Sequence, residues 1–132
     1  MLISGSCQCG EIHYEAEVDP SAVGICHCTD CQKLTGSVYR VTVRATDDRF
    51  RIVSGDPKRY RKIGDSGRAS DQFFCGSCGS PLYRADADGK AIGIRLGTID
   101  QRQSFTPNHQ SYLSSALPFS FDIRHIPKGA DD

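Results

Sequence analysis

Cys26-His27-Cys28-Thr29-Asp30-Cys31, running on through Thr35-Gly36 into Val38-Tyr39-Arg40-Val41-Thr42-Val43-Arg44, is the stretch whose reading decides the fold. The later part alternates, with Tyr39, Val41 and Val43 on one face and Arg40, Thr42 and Arg44 on the other, which is the period of a half-buried strand. The earlier part carries thiols at two spacings. Cys26 and Cys28 share a face of an extended segment, and Cys31 returns from the first turn of a short helix, Thr29 to Thr35. Gly36 is placed to end that helix as a left-handed cap. Three sulfurs arranged this way can meet one metal ion. The stretch therefore predicts a strand, a metal-bearing turn, a short helix and a second strand.

Working outward, Glu11-Ile12-His13-Tyr14-Glu15-Ala16 alternates with Ile12, Tyr14 and Ala16 inward, until Asp19-Pro20-Ser21 ends it. After a turn at Thr46-Asp47-Asp48, Phe50-Arg51-Ile52-Val53 reads as the antiparallel neighbour of the Val38–Arg44 strand, closed by Ser54-Gly55-Asp56-Pro57. Lys58-Arg59-Tyr60-Arg61-Lys62 divides its charges between two faces, as a solvated edge strand guarded by lysines would. Phe73-Phe74 leads into a cysteine pair, Pro81-Leu82-Tyr83-Arg84 leaves it, and Asp86-Ala87-Asp88-Gly89-Lys90 is a hairpin loop. Ala91 to Gly97 turns Ile92, Ile94 and Leu96 inward, and Phe119-Ser120-Phe121-Asp122-Ile123 offers a last extended piece. The expectation is a mainly β fold of antiparallel strands with one short helix, a single domain over residues 1–132.

Sixteen Lys plus Arg balance sixteen Asp plus Glu, so no bulk field favours a polyanion, and nucleic acid is not an expected partner. No apolar run approaches the roughly 18 residues that span a bilayer, and Met1 to Cys7 lacks the pattern of a secretory leader. A cytoplasmic protein without a membrane partner is expected; the oligomeric state is not legible. The cysteines number seven, an odd count ill suited to a disulfide framework.

They fall into three groups. Cys75-Gly76-Ser77-Cys78-Gly79 has the spacer that brings both sulfurs of a tight turn to one tetrahedral zinc. Cys7-Gln8-Cys9-Gly10 projects both thiols to one side, which makes half a site and calls for two more ligands. Cys75 and Cys78 would complement it, and spacing alone leaves the middle group open as the partner. Should four cysteines close one site, Cys26, Cys28 and Cys31 are left with a fourth position for His27, water or substrate, or for a distant histidine such as His13, His109 or His125. His27, between two same-face cysteines, points its ring the other way.

Together with Gly36-Ser37, Ser54-Gly55, Gly97-Thr98-Ile99-Asp100 and Ser114-Ser115-Ala116-Leu117-Pro118, these groups resemble the glutathione-dependent formaldehyde-activating enzyme family, which includes centromere protein V. Phe119 stands where many relatives carry tryptophan. The resemblance implies antiparallel sheets packed as a tent, with Cys7, Cys9, Cys75 and Cys78 on a structural zinc and Cys26, Cys28 and Cys31 on a reactive one. It implies a carbon–sulfur lyase activity that condenses glutathione with formaldehyde into S-hydroxymethylglutathione, on a small-molecule thiol and aldehyde.

For glutathione's carboxylates, Lys33, Arg40 and Arg44 are the basic residues nearest the reactive group in sequence, and His27, Asp30 and His109 are candidates for the general acid. Two other readings remain at this level: an enzyme for another thiol or electrophile, and a zinc-stabilised module that contacts a protein partner.

Overall fold

The structure, a computed structural model, describes residues 1–131. Among these, the strands are β1 (Leu2–Ser6), β2 (His13–Glu17), β3 (Val23–Cys26), β4 (Arg40–Thr46), β5 (Phe50–Ser54), β6 (Lys58–Ile63), β7 (Ala69–Phe74), β8 (Pro81–Asp86), β9 (Ala91–Arg95) and β10 (His109–Ser111). The one α-helix, α1, spans Thr29–Thr35. β1-β2-β5 make a three-stranded antiparallel sheet, and β10-β3-β4-β9-β8-β7-β6 make a seven-stranded sheet in which only β10 runs parallel to its neighbour. The expected mainly β, antiparallel class with one short helix is what is observed.

Alternation decides which face of each strand is buried. From Ile12 to Val18 every second residue is buried and the residues between are exposed. Across the large sheet the register lines up Val23, Val43, Ile94, Tyr83 and Phe73 on one side, the side that meets the small sheet. Aromatic contacts join the two layers: Tyr14 meets Phe50 at 5.5 Å between ring centres, Phe50 meets Tyr83 at 4.5 Å, and Tyr83 stacks on Phe73 at 4.5 Å. Burying such rings is the largest apolar contribution a side chain makes.

The opposite face of the large sheet is polar. Gly24, Thr42 and Arg95 form one row across β3, β4 and β9, and Arg44, Gly93, Arg84, Gln72 and Tyr60 form the next. Cys26 opposes Arg40 at one end of this face. α1, which connects β3 to β4, is tied across to the far strand by Lys62 Nζ and Asp30 Oδ2 at 3.0 Å. A sheet whose far edge reaches the helix beside its other edge is strongly curled, in keeping with accumulated strand twist.

Two expectations are corrected. β5 is not the neighbour of β4: it pairs with β2, because the 3-10 turn Asp47–Arg49 carries the chain from one sheet to the other. Phe119–Ile123 is not an extended piece, since Pro118–Phe121 forms a 3-10 turn, with proline at its start. The edge position of β6 is as expected, yet its charges are engaged. Arg61 donates to both carboxylate oxygens of Asp71 at 2.8 and 3.0 Å, and Arg59 lies 3.8 Å from the same group.

Candidate metal centres

Two groups of cysteine sulfurs gather in the fold, each with its ligand atoms within 4.8 Å of one another: Cys7, Cys9, Cys75 and Cys78, and separately Cys26, Cys28 and Cys31. Both are built from turns. In the first, the chain leaves β1 through Cys7 and reverses at Gly10, whose φ of +81° suits glycine. The second half of that group is the turn between β7 and β8, where Gly79 N donates to Cys75 O at 2.8 Å. Sulfur contacts of 3.6 Å (Cys7 to Cys9) and 3.8 Å (Cys9 to Cys75) bring the halves together.

Backbone amides point at these sulfurs. Ile12 N donates to Cys7 Sγ at 3.3 Å, and Ser77 N and Cys78 N donate to Cys75 Sγ at 3.4 Å. Amide donors favour the thiolate. Ser80, through its hydroxyl and then its amide, pulls Cys78 down to about 5. Cys9 is pushed up to about 12: the Glu11 amide lowers it, but Cys7, slight burial, Cys78 and Cys75 all raise it. The donor set of four clustered thiols with amide support fits a closed tetrahedral zinc site.

The second group joins a strand end to a helix start. Cys26 closes β3, Cys28 is the N-cap of α1 and accepts from Cys31 N at 3.3 Å, and Cys31 is buried in the first turn. Gly36 is the left-handed cap, with φ of +64°. Burial raises the Cys31 thiol to about 12 against the lowering charge of Arg40, with Cys28 and Cys26 adding to the rise. Cys26 is shifted down: burial opposes this, and the Cys28 amide, the Cys31 thiol and the Ser111 hydroxyl outweigh it. Among the described residues no histidine or carboxylate joins these three sulfurs. The donor chemistry fits zinc with one position left over.

The residues named from sequence are distributed unevenly around this group. Arg40, Arg44 and His109 line, with Cys26 and Ser111, a cleft of about 410 Å³ on the polar sheet face. Lys33 is exposed in the last turn of α1 and does not line this cleft. Asp30 is occupied by Lys62. His27 is 1% exposed, with Nε2 2.9 Å from Gln110 Oε1 and its ring edge-on to Tyr39 and stacked on Phe121. His125 sits 3.3 Å from Asp122, and His13 begins β2 in the other sheet.

Sequence reasoning missed Arg95, Arg84 and Gln72. Arg95 Nη2 donates to Gln72 Oε1 at 2.7 Å, and Arg84 Nη2 to Asp86 Oδ1 at 2.7 Å. The signal was present for Arg95: turning Ile92 and Ile94 inward sends Gly93 and Arg95 to the other face.

The sequence model of the glutathione-dependent formaldehyde-activating enzyme family matches residues 2–115. The chain belongs to this family. Within 86 residues it is 27% identical to an uncharacterized lyase of Schizosaccharomyces pombe, over 65% of this chain and 59% of that protein. The chain thus spans 59% of the length of the relative it matches. A crystal structure of a Rhodobacter sphaeroides protein is similar with a TM-score of 0.64, over 82% of this chain and 99% of that one, at 19% identity. That likeness shows the fold of this family member. Among the described residues no helix is long and apolar enough to cross a membrane.

Proposed function

We propose that the chain is a zinc-dependent enzyme of the carbon–sulfur lyase type that joins a small-molecule thiol to an aldehyde and reverses the step, with glutathione and formaldehyde as the pair. One observation carries the reading: one sulfur group has four members and the other three, the latter with Cys26 lining a cleft. Structural zinc takes four protein ligands, whereas reactive zinc keeps a position for substrate. The lyase name of the Schizosaccharomyces pombe relative supports the reaction class. We read residues 1–132 as one domain, of which the family match covers residues 2–115. Seven cysteines grouped for metal binding rather than in disulfides support a cytoplasmic setting.

Cys7, Cys9, Cys75 and Cys78 would hold a structural zinc, and Cys26, Cys28 and Cys31 the reactive one. Zinc bound at the three-cysteine group would supply the positive charge that keeps a substrate thiol deprotonated at neutral pH. The chain's residues do the rest. Arg40 and Arg44, on the cleft wall, offer cations to the carboxylates of glutathione, while Lys33 lies outside that wall. Holding thiol and aldehyde together there removes most of the entropy of a bimolecular encounter.

In the reaction a sulfur–carbon bond forms, the carbonyl π bond is lost, and the thiol's proton ends on the former carbonyl oxygen. His109, which lines the cleft, would carry that proton. His27 is held away from it by Gln110 and two rings. Exchange spectroscopy of glutathione with formaldehyde is the test. The zinc-loaded chain is expected to accelerate exchange beyond the spontaneous rate, and Cys28→Ser to abolish the increment; no increment with wild type contradicts the proposal.

The second reading, a module that contacts a protein partner, is favoured by Tyr112, Phe119, Phe121 and Ile123, which are each more than half exposed. It predicts no acceleration and no effect of Cys28→Ser on partner capture.

A further inference from the structure

On the polar face of the large sheet, beside the three-cysteine group, four buried atoms have no hydrogen-bond partner among the described residues: Arg40 Nε, Thr42 Oγ1, and Arg95 Nε and Nη1. The register brings them together. Arg40 opposes Cys26, Thr42 lies two residues further along β4 on the same face, and Thr42 opposes Arg95. Arg40 lines the cleft that contains Cys26 and also a second cleft of about 520 Å³, which Arg95 lines with it. Arg95 is 6% exposed; Gln72 accepts from its Nη2, while its Nε and Nη1 have no partner among the described residues.

Burying the Arg95 guanidinium without a counter-ion is costly, and the partly buried Arg40 beside it adds to the cost. The pair does oppose itself: burial, then the charge of Arg40, bring the Arg95 pKa down to about 10, with Cys31 and Cys26 working the other way. The one carboxylate among the described residues that lines either cleft, Asp86, is committed to Arg84. Before a substrate thiol binds, three thiolates around a divalent metal would carry one net negative charge against two guanidinium groups, an excess of one positive charge. Formaldehyde, neutral and of one carbon, has no use for such a place. A carboxylate does, because a guanidinium fork matches its two oxygens.

We propose that Arg40, Thr42 and Arg95 form a carboxylate subsite beside the three-cysteine group, so that one of the reacting molecules presents an acid group there. This rests on that group being the reaction site, as proposed above. The carboxylate belongs either to the thiol, as in glutathione, or to an aldehyde that carries its own acid group, as glyoxylate does. Arg95 and Thr42 bind; Gln72 positions Arg95. A side chain on Gly93, in the row beside them, would displace theirs, since its Cβ would lie 2.6 Å from Thr42 Cγ2 and 3.0 Å from Arg84 Cγ.

Calorimetric titration of the zinc-loaded chain with two probes that lack a free thiol, S-methylglutathione and glyoxylate, tests the subsite apart from the reaction. At least one probe is expected to bind, and both Arg95→Met and Arg40→Gln to weaken it about tenfold or more, the loss of a charge-assisted bond, with zinc content unchanged. Which probe binds identifies the source of the carboxylate. Should Arg95→Met lose zinc or fail to fold, Arg40→Gln and Thr42→Val decide. No binding of either probe at millimolar concentration, or equal binding by wild type and the folded variants, overturns the subsite. Probe binding without accelerated glutathione–formaldehyde exchange leaves the subsite standing and removes the reaction.

Discussion

Cys28 caps α1 with its sulfur while standing between the other two thiols of its group, so one residue sets both the helix start and the ligand geometry. That much was legible, because Cys26, Cys28 and Cys31 lie within six residues and local geometry governs them. The direction of the His27 ring was legible for the same reason. Its partner was not, since Gln110 is 83 residues away in sequence. Two predictions belong to this scale. Asp71 is held below the ordinary carboxylate range, first by hydrogen bonds from Arg61. A depressed folded pKa means its contribution is complete above the unfolded value, about 4, and is lost as pH falls through the folded one. Thermal melts of Asp71→Asn should therefore lie below wild type at pH 7, with the gap closing on acidification; a gap independent of pH contradicts this. Ile94, fully buried in the five-strand row, should cost about 3 kcal/mol when changed to alanine, read from denaturant unfolding.

Alternation made most elements legible, yet it fixes only which side of a strand is buried and not which strand lies beside it. Phe50–Ser54 shows the difference. Its pattern would satisfy either sheet, and the short turn before it invited a hairpin with β4, but the chain crosses at Asp47–Arg49 to pair with β2. The end of that strand makes the crossing testable. Gly55 has a φ of +84°, and a Cβ there would come 2.5 Å from Glu11 O and 2.7 Å from Ile12 Cγ1, beside the Cys7–Cys9 turn. Gly55→Ala should cost more than about 1 kcal/mol from backbone strain, plus the displacement of the β2 entry. It should also lower zinc affinity at the four-cysteine site while sparing the three-cysteine one. A change in stability with both affinities intact would show that the turn does not position the thiols.

Across the whole molecule, the two sheets divide the labour. Their facing sides make the apolar core, and the far side of the large sheet carries arginines up to the three-cysteine group. Sequence spacing could show that one cluster has three thiols, but not that Cys7 and Cys9 reach Cys75 and Cys78, a closure over more than 60 residues that only the resemblance implied. Nor could it show the arginine face, which is assembled from β4, β8 and β9 by long-range register. The central claim is that the seven thiols make one closed and one open site. Counting zinc per chain by native mass spectrometry, alongside thermal melting, tests it most directly. Wild type should hold two ions; Cys28→Ser should hold one and melt close to wild type, whereas Cys75→Ser should lose an ion and melt much lower, because that metal would tie β1 to the β7–β8 turn. A single ion in wild type, or equal destabilisation by the two variants, would contradict the division.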